Sequence, residues 1–287
     1  MVVYPYNTKF ISLPENCRIA YIDEGKGDRT LLFIHGLANY ALVWKNNIDY
    51  LKQYYRCIAI DLPGNGLSDK NEHDFSMRFF AESVYEFIKA MKLKGPVVIG
   101  HSMGGHIAMT LAIKHPLSLS KLILCAPAGM EEFTSLDKAI YYSTIHLYDF
   151  MSSEEHTLRH TIENSFYHHK HQGESIVKDL VAIMKTYNLN YYRKMIESCI
   201  KGMLEEPVLN KLSDIKLQTL VMFGKHDALI PNRLLHHTTP EQIGKNGVQK
   251  LTAGKLEMIS NCGHFLQLEK TEEVNRHIIM LLEGNPG

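Results

Sequence analysis

The chain lacks any apolar run close to the ~20 residues that a membrane-spanning helix needs, and it also lacks an excess of either charge. Its 31 Lys and Arg residues equal its 31 Asp and Glu residues, so no net charge would attract nucleic acid or an anionic membrane surface. These absences favour a small, weakly charged and partly apolar molecule as the binding partner. They leave the oligomeric state open.

Cysteine is scarce and shows no pairing pattern. The five cysteines are odd in number, widely spaced and never in a C-x-x-C pair, which argues against a disulfide framework or a thiolate zinc site. The N-terminal residues also lack the basic segment and continuous apolar stretch of a secretory signal. We therefore expect a cytoplasmic protein.

The composition is that of an ordinary globular protein, with 45% hydrophobic and 22% charged residues in 287. This length exceeds what one layered α/β core needs and leaves room for an insertion. We expect one core domain in two parts, residues 1–129 and 211–287, with a helical lid at residues 130–210 between them.

Short apolar runs, each followed by a loop containing glycine or proline, predict a sheet. Alternating residues at 9–13 and 18–23 indicate an antiparallel beginning. Continuously apolar runs then predict strands covered on both faces, at 31–34, 57–60, 97–99, 121–125, 217–223 and 256–259. Helical spacing predicts helices at 42–51, 75–91, 103–114 and 271–282. Repetition of strand, loop and helix indicates a mostly parallel sheet.

Residues 130–210 have helical spacing, many aromatic side chains and no convincing strand, which predicts a helical insertion. Its aromatic residues have two interpretations. They pack the insertion helices against one another, or some of them line an apolar acyl or alcohol pocket together with Met130 and Met151. The residues concerned are Tyr141, Tyr142, Tyr148, Phe150, Tyr187, Tyr191 and Tyr192.

A G-x-S-x-G motif, Gly100-His101-Ser102-Met103-Gly104, lies between a predicted strand and a predicted helix. A serine hydroxyl is a weak nucleophile at neutral pH and needs a nearby base and a helix N-terminus. A sharp strand-to-helix turn presents it, and the flanking glycines let neighbouring backbones approach. A serine between glycines is otherwise a plain turn, so the context, not the motif alone, predicts Ser102 as a nucleophile.

Five segments, in the same order and with similar spacing, resemble the α/β-hydrolase superfamily from about residue 18 to residue 282. The family's oxyanion loop is similar to FIHGLANYALVW and the loop after its fourth strand to DLPGNGLSD. Its nucleophile elbow is similar to GHSMGG, its acid loop to VMFGKHDALIP and its histidine loop to NCGHFLQLEKTEEV. The resemblance implies a mostly parallel eight-stranded sheet flanked by helices, with a helical lid inserted after the sixth strand.

The resemblance also implies the roles of individual residues. Ser102 would be the nucleophile, His264 the general base and Asp227 the acid that orients the histidine. The backbone N–H groups of Leu37 and Met103 would form the oxyanion hole for the tetrahedral intermediate.

Some of these positions have other interpretations. Asp227 would otherwise cap a turn near glycine and proline. A rarer family arrangement takes the acid from the segment after the sixth strand, where Glu131 and Glu132 are the reserves. For His35, in the oxyanion loop, we favour a side chain that braces the loop.

The activity implied by the resemblance is cofactor-independent hydrolysis of a small carboxylic ester through an acyl-enzyme. The nearest alternative is a carbon–carbon bond hydrolase of meta-cleavage products, although that group usually has tryptophan where Phe265 stands. Lactonase, perhydrolase and acyltransferase activities share the triad, whereas dehalogenases and epoxide hydrolases need aspartate at Ser102. An alternative of another class is a ligand receptor with vestigial hydrolase activity. Competent residues at all triad positions disfavour an inactive scaffold.

Two sequence patterns resemble a metal site and a phosphate-binding loop, but we predict no ligand for either. His156 and His160 are spaced i, i+4 but lack the glutamate of H-E-x-x-H, and we interpret them, with the nearby His168, His169 and His171, as a solvated polar face. Residues 64–66 lack the lysine of a phosphate-binding loop. We therefore predict no metal and no cofactor.

Overall fold

The structure is a computed structural model that describes residues 3–152, 155–168, 170–186 and 189–284. Its strands, in chain order, are β1 (Lys9–Leu13), β2 (Cys17–Glu24), β3 (Thr30–Ile34), β4 (Arg56–Ile60), β5 (Val97–His101), β6 (Lys121–Cys125), β7 (Thr219–Gly224) and β8 (Gly254–Ile259).

Ten α-helices lie in these described ranges. They are α1 (Lys45–Leu51), α2 (Met77–Ala90), α3 (Met103–Lys114), α4 (Ser135–Ser152), α5 (Glu155–Asn164), α6 (Lys170–Thr186), α7 (Leu189–Glu205), α8 (Pro240–Lys250), α9 (Leu266–Glu269) and α10 (Thr271–Glu283). Among the residues searched, no helix combines the length and the apolar character required to cross a bilayer.

All eight strands form one sheet in the order β1-β2-β4-β3-β5-β6-β7-β8. β2 is antiparallel to both β1 and β4, and every other neighbouring pair is parallel. This arrangement confirms the predicted mostly parallel eight-stranded sheet flanked by helices. The chain passes from β3 to β4 on one side and then to β5 on the other, and such a reversal opens a crevice at the carboxyl ends of the strands.

The core lies where the central strands are covered on both faces. Every residue of β5 and β7 is buried, as are the last four residues of β3, β4 and β6. Trp44 is fully buried and its ring lies 5.2 Å from that of Phe33, so it packs the core. The five cysteines are buried with free thiols.

The segment between β6 and β7 contains α4, α5, α6 and α7, which we call the helical insertion, and no strand in its described part. Among the aromatic residues singled out above, Tyr192 is buried and its ring contacts that of Tyr191 at 5.7 Å. Tyr191 also contacts Phe75 of the core at 6.3 Å. The side chains of Tyr148, Phe150 and Met151, and the whole of Tyr187, lie outside the described residues.

Two local features differ from the sequence prediction. The predicted helix at 42–51 begins as a 3-10 turn, Ala41–Trp44, before α1. Helix α8 was not predicted, because its sequence is polar and contains Gly244 and Gly247. A Cβ on Gly244 would lie 2.7 Å from a methyl group of Leu256, so glycine lets the helix pack closely on β8. Thr239 caps the helix by accepting a hydrogen bond from the backbone N–H of Gln242.

Candidate active site

The four loops that carry the predicted site residues follow parallel strands and meet at one edge of the sheet. Ser102 directly follows β5, and Leu37 comes three residues after β3. Asp227 lies three residues after β7, and His264 lies five residues after β8. Because the carboxyl ends of parallel strands share an edge, residues distant in sequence lie beside the crevice there.

The turn at Ser102 is sharp and strained. Ser102 has φ 53° and ψ −119° and immediately precedes α3, a conformation that a non-glycine residue rarely adopts. Close backbone packing holds the turn: a Cβ on Gly100 would lie 2.3 Å from the carbonyl oxygen of Gly104, and one on Gly104 would lie 2.5 Å from that of Ile34. The serine is therefore presented at the beginning of a helix by a turn that permits only glycine at these flanks.

A buried hydrogen bond joins Asp227 to His264. The Nδ1–H group of His264 donates to Oδ2 of Asp227 at 2.8 Å, and the two residues are 2% and 0% exposed. Oδ1 of Asp227 accepts from the backbone N–H groups of Leu229 at 2.8 Å and Ile230 at 3.0 Å. Because a carboxylate only accepts, the proton of a neutral His264 lies on Nδ1, and Nε2 keeps a free lone pair.

His101 connects the turn of Ser102 to the histidine loop. Its Nε2–H group donates to the backbone carbonyl of His264 at 3.0 Å, and the two imidazole rings lie 4.8 Å apart. The Ser102 hydroxyl makes no hydrogen bond in the described part of the chain, so no hydrogen bond joins it to His264. Hydrogen bonds of this kind often tighten when substrate binds.

Leu37 and Met103 supply two backbone N–H groups beside Ser102. Neither group donates a hydrogen bond to another described residue. A Cβ on Gly36 would lie 3.0 Å from the Cβ of Ser102, so the loop that contains Leu37 packs directly against the turn. Ala38 has φ 50°, which turns the chain away after Leu37.

His35 holds this loop through both nitrogens of its ring. Nδ1–H donates to the carbonyl oxygen of Gly36 at 2.7 Å, and Nε2 accepts from the backbone N–H of Leu62 at 3.0 Å. Burial lowers the pKa of His35 to about 4, so the ring is neutral at pH 7. The bracing role expected for His35 agrees with these contacts.

The reserve acids, Glu131 and Glu132, have other surroundings than Asp227. Glu131 forms a very short hydrogen bond with Nδ1 of His236 and accepts from the backbone N–H of Asn232 at 2.8 Å, while burial raises the pKa of its carboxyl group. Glu132 is exposed. Of these acids, Asp227 is the one hydrogen-bonded to His264.

The histidines of the insertion form no recognisable ligand set in the described residues, where no group of three His, Cys, Asp or Glu side chains could hold a metal. Nδ1 of His160 lies 2.9 Å from Nδ2 of Asn164, and His168 is exposed. His169 and the side chains of His156 and His171 lie outside the described residues.

Two buried polar residues that the sequence motifs did not single out, His101 and Glu269, contact the histidine loop. The Glu269 carboxylate accepts hydrogen bonds from the backbone N–H groups of Gly263 and Tyr167, each at 2.9 Å. A buried polar side chain requires partners, so the occurrence of His101 within a fully buried strand was a signal available in the sequence. Glu269 lies within the histidine-loop motif, but the motif does not reveal that its carboxylate binds Gly263 and Tyr167.

The sequence matches the profile of the alpha/beta hydrolase fold family over residues 29–271. The chain belongs to this family. An alpha/beta hydrolase fold is also what the strand order and the turn at Ser102 display.

Several characterised proteins are similar to this alpha/beta hydrolase. Epoxide hydrolase 2 of Caenorhabditis elegans is 24% identical over 294 residues, covering 94% of this chain and 78% of that protein. A 2-hydroxy-6-oxononadienedioate/2-hydroxy-6-oxononatrienedioate hydrolase of Burkholderia vietnamiensis is 25% identical over 306 residues, covering 96% and 95%. An esterase structure from Exiguobacterium antarcticum superposes with a TM-score of 0.81 at 22% identity, covering 96% and 99%.

Proposed function

We propose that this alpha/beta hydrolase cleaves small carboxylic esters through Ser102, His264 and Asp227. The observation that carries the proposal is the buried 2.8 Å hydrogen bond between Asp227 and His264, because it leaves Nε2 of His264 as a base at the edge where Ser102 is presented. A neutral chain with no excess charge suits a weakly charged, partly apolar substrate.

In the first half of the reaction, Oγ of Ser102 attacks the ester carbonyl while its proton passes to Nε2 of His264. The carbonyl oxygen becomes an oxyanion, which the N–H groups of Leu37 and Met103 would stabilise; removing one such donor typically costs ~3 kcal/mol of barrier. Asp227 stabilises the imidazolium that forms. When the tetrahedral intermediate collapses, the ester C–O bond breaks and His264 returns the proton to the alcohol.

In the second half, water replaces the alcohol. His264 takes a proton from the water, whose oxygen attacks the acyl carbon bonded to Ser102. The same two N–H groups hold the second oxyanion. Cleavage of the acyl–Oγ bond releases the carboxylic acid and returns the proton to Ser102, so each group recovers its initial state.

The second candidate is hydrolysis of a carbon–carbon bond in a meta-cleavage product. The similarity that favours it is the Burkholderia vietnamiensis relative, which aligns over nearly the whole of both chains. Phe265 weighs against it, because carbon–carbon bond hydrolases of this group usually have tryptophan at this position. Here the phenylalanine ring packs between the rings of Phe166 at 4.9 Å and His101 at 5.1 Å. The name of the epoxide hydrolase relative does not transfer, since that chemistry needs aspartate at Ser102.

A substrate screen on wild type, Ser102→Ala and Ser120→Ala tests the proposal. The panel contains short p-nitrophenyl esters, a lactone, a thioester and a meta-cleavage dienoate. We expect the highest kcat/KM with an ester, no turnover in Ser102→Ala, and wild-type turnover in Ser120→Ala, whose serine is exposed. A dienoate preference would favour the second candidate, and unchanged turnover in Ser102→Ala would refute both.

A further inference from the structure

Three consecutive residues of the helical insertion contact the histidine loop and the acid loop. The backbone N–H of His264 donates to the carbonyl oxygen of Ser165 at 2.8 Å. The next residue, Phe166, stacks its ring on Phe265 at 4.9 Å with an interplanar angle of 13°. The ring of Tyr167 stacks on that of His226, beside Asp227, at 3.9 Å and 10°. The insertion is therefore bonded directly to the residue proposed as the base.

The carboxylate of Glu269 joins the same two segments. Oε1 accepts from the backbone N–H of Gly263 at 2.9 Å, and Oε2 accepts from that of Tyr167 at 2.9 Å. Glu269 is 6% exposed, and hydrogen bonds to a carboxylate are stronger than those between neutral groups. The Glu269 side chain thus holds both Gly263, which precedes His264, and the insertion segment whose Ser165 accepts a hydrogen bond from His264.

Gly263 shows how closely the two segments are fitted. A Cβ at this position would lie 2.5 Å from the carbonyl oxygen of Ser165, 2.8 Å from Oε1 of Glu269 and 2.9 Å from the backbone nitrogen of Tyr167. Real Cβ atoms do not approach other atoms so closely. The histidine loop can bind the insertion in this way only with glycine at position 263.

These contacts hold His264 from several sides. Its backbone N–H is bonded to Ser165 and its carbonyl oxygen to His101, while its ring is bonded to Asp227. Glu269 fixes the preceding peptide. Without Glu269, the backbone N–H groups of Gly263 and Tyr167 lose their acceptor, so the imidazole can shift relative to Ser102.

We propose that Glu269 is a positioning residue for His264, and that the base is aligned with Ser102 only while Ser165–Tyr167 is docked on the histidine loop. This inference rests on the proposed function. It makes the insertion part of the support of the catalytic histidine. Displacement of the insertion would then lower catalysis without any change to the three reacting side chains.

The test compares Glu269→Gln with Glu272→Gln, which removes the same charge from an exposed position three residues further along. In Glu269→Gln an amide group faces one of the two N–H donors, so one bond is lost. We expect the rate of Ser102 labelling by a fluorophosphonate to fall roughly 10- to 100-fold, the range reached by ångström-scale misplacement. We expect kcat for ester hydrolysis to fall in parallel with little change in KM, and wild-type values in Glu272→Gln.

Amide hydrogen exchange provides the readout that does not depend on activity. In Glu269→Gln the amide hydrogens of the peptides containing Gly263 and Tyr167 should exchange faster than in wild type. Exchange in β5 and β6 should be unchanged. Gly263→Ala provides a second variant from the other side of the contact, and it should show the same loss of labelling and the same local exchange.

The outcomes separate the inference from the proposed function. If wild type is not labelled at Ser102, the proposed function fails. The positioning role is overturned if Ser102 is labelled in Glu269→Gln and Gly263→Ala as fast as in wild type, with each rate expressed per folded molecule. This conclusion holds whatever rates of amide hydrogen exchange the two variants show. A fall in kcat and labelling with unchanged KM and locally faster exchange supports it.

Discussion

At the scale of single residues, the two oxygens of Asp227 have different partners. One accepts from the backbone of its own loop, at Leu229 and Ile230, and the other accepts from His264. The hydrogen bonds within the acid loop hold the Asp227 carboxylate in place. The carboxylate in turn orients the imidazole ring of His264. This preorganisation favours the Nδ1–H tautomer that a general base needs.

Asp227→Asn should therefore lower kcat for ester hydrolysis by roughly 10⁴-fold, because an amide can present its N–H₂ group to Nδ1 and stabilise the wrong tautomer. Glu131→Gln is the matched control, since Glu131 is bonded to His236 and not to His264. We expect its kcat within about threefold of wild type, because its carboxylate is hydrogen-bonded to His236 and Asn232. Steady-state kinetics of both variants check this, and a larger loss in Glu131→Gln would make Glu131 the acid.

The sequence could indicate these side chains but not all of their contacts. Ser102, Asp227 and His264 stand in recognisable segments, and their order matches the family. The backbone partner of His264 could not be predicted, because Ser165 is about a hundred residues away and its contribution is a backbone carbonyl. Backbone groups carry no sequence letter, so a bond of this kind becomes visible only in the fold.

At the scale of secondary-structure elements, the helical insertion is attached to the core by side chains of α6 and α7. Asp179 of α6 accepts a hydrogen bond from the Tyr40 hydroxyl at 2.8 Å, next to the loop of Leu37. The Tyr191 hydroxyl of α7 donates to the backbone carbonyl of Asn71 at 3.2 Å. Both attachments lie at the edge of the sheet that carries the candidate site.

A double-mutant cycle on Tyr40→Phe and Asp179→Ala measures the first attachment, because each substitution removes the hydrogen bond. A hydrogen bond to a charged group contributes about 1.5–3 kcal/mol, and because Asp179 is half-buried we expect a coupling energy near the lower end of that range. Urea unfolding of wild type, both single variants and the double variant gives this energy. Additive effects of the two substitutions would show that the bond does not hold the insertion.

Prediction was accurate for elements whose burial is simple. Strands β1 and β6 and helix α3 have the predicted bounds, because apolar runs between two layers of helices leave little choice of conformation. Helix α8 was missed since its apolar face is narrow and depends on Gly244 packing against Leu256. Its existence follows from tertiary packing, which local spacing does not encode.

At the scale of the whole molecule, buried neutral histidines link stability to pH. Burial lowers the pKa values of His35 and His106 to about 4 and that of His101 well below its usual range. In the unfolded chain each histidine titrates near pH 6.5. Between these values the unfolded chain binds protons that the folded chain excludes, so acidification favours unfolding.

Above about pH 6.5, His106 should therefore leave the free energy of unfolding unchanged. Between about pH 6 and pH 4.5, the exclusion of a proton from His106 in the folded chain should lower this free energy by ~1.4 kcal/mol for each pH unit of acidification. His106→Gln removes this dependence and keeps an N–H donor for the carbonyl of Glu206, which His106 contacts at 2.9 Å. Urea unfolding of wild type and His106→Gln from about pH 7.5 to pH 5 compares the two slopes. Equal slopes would contradict the assignment of a depressed pKa.

The most direct test of the proposed function is detection of the acyl-enzyme on Ser102. Wild type, Ser102→Ala and Ser120→Ala are mixed with a short p-nitrophenyl ester, quenched within the first turnover, and digested for mass spectrometry. We expect a mass gain equal to the acyl group on the peptide that contains Ser102, in wild type and Ser120→Ala, and none in Ser102→Ala. Ester hydrolysis with no acylated peptide, or with the acyl group on another residue, would contradict it.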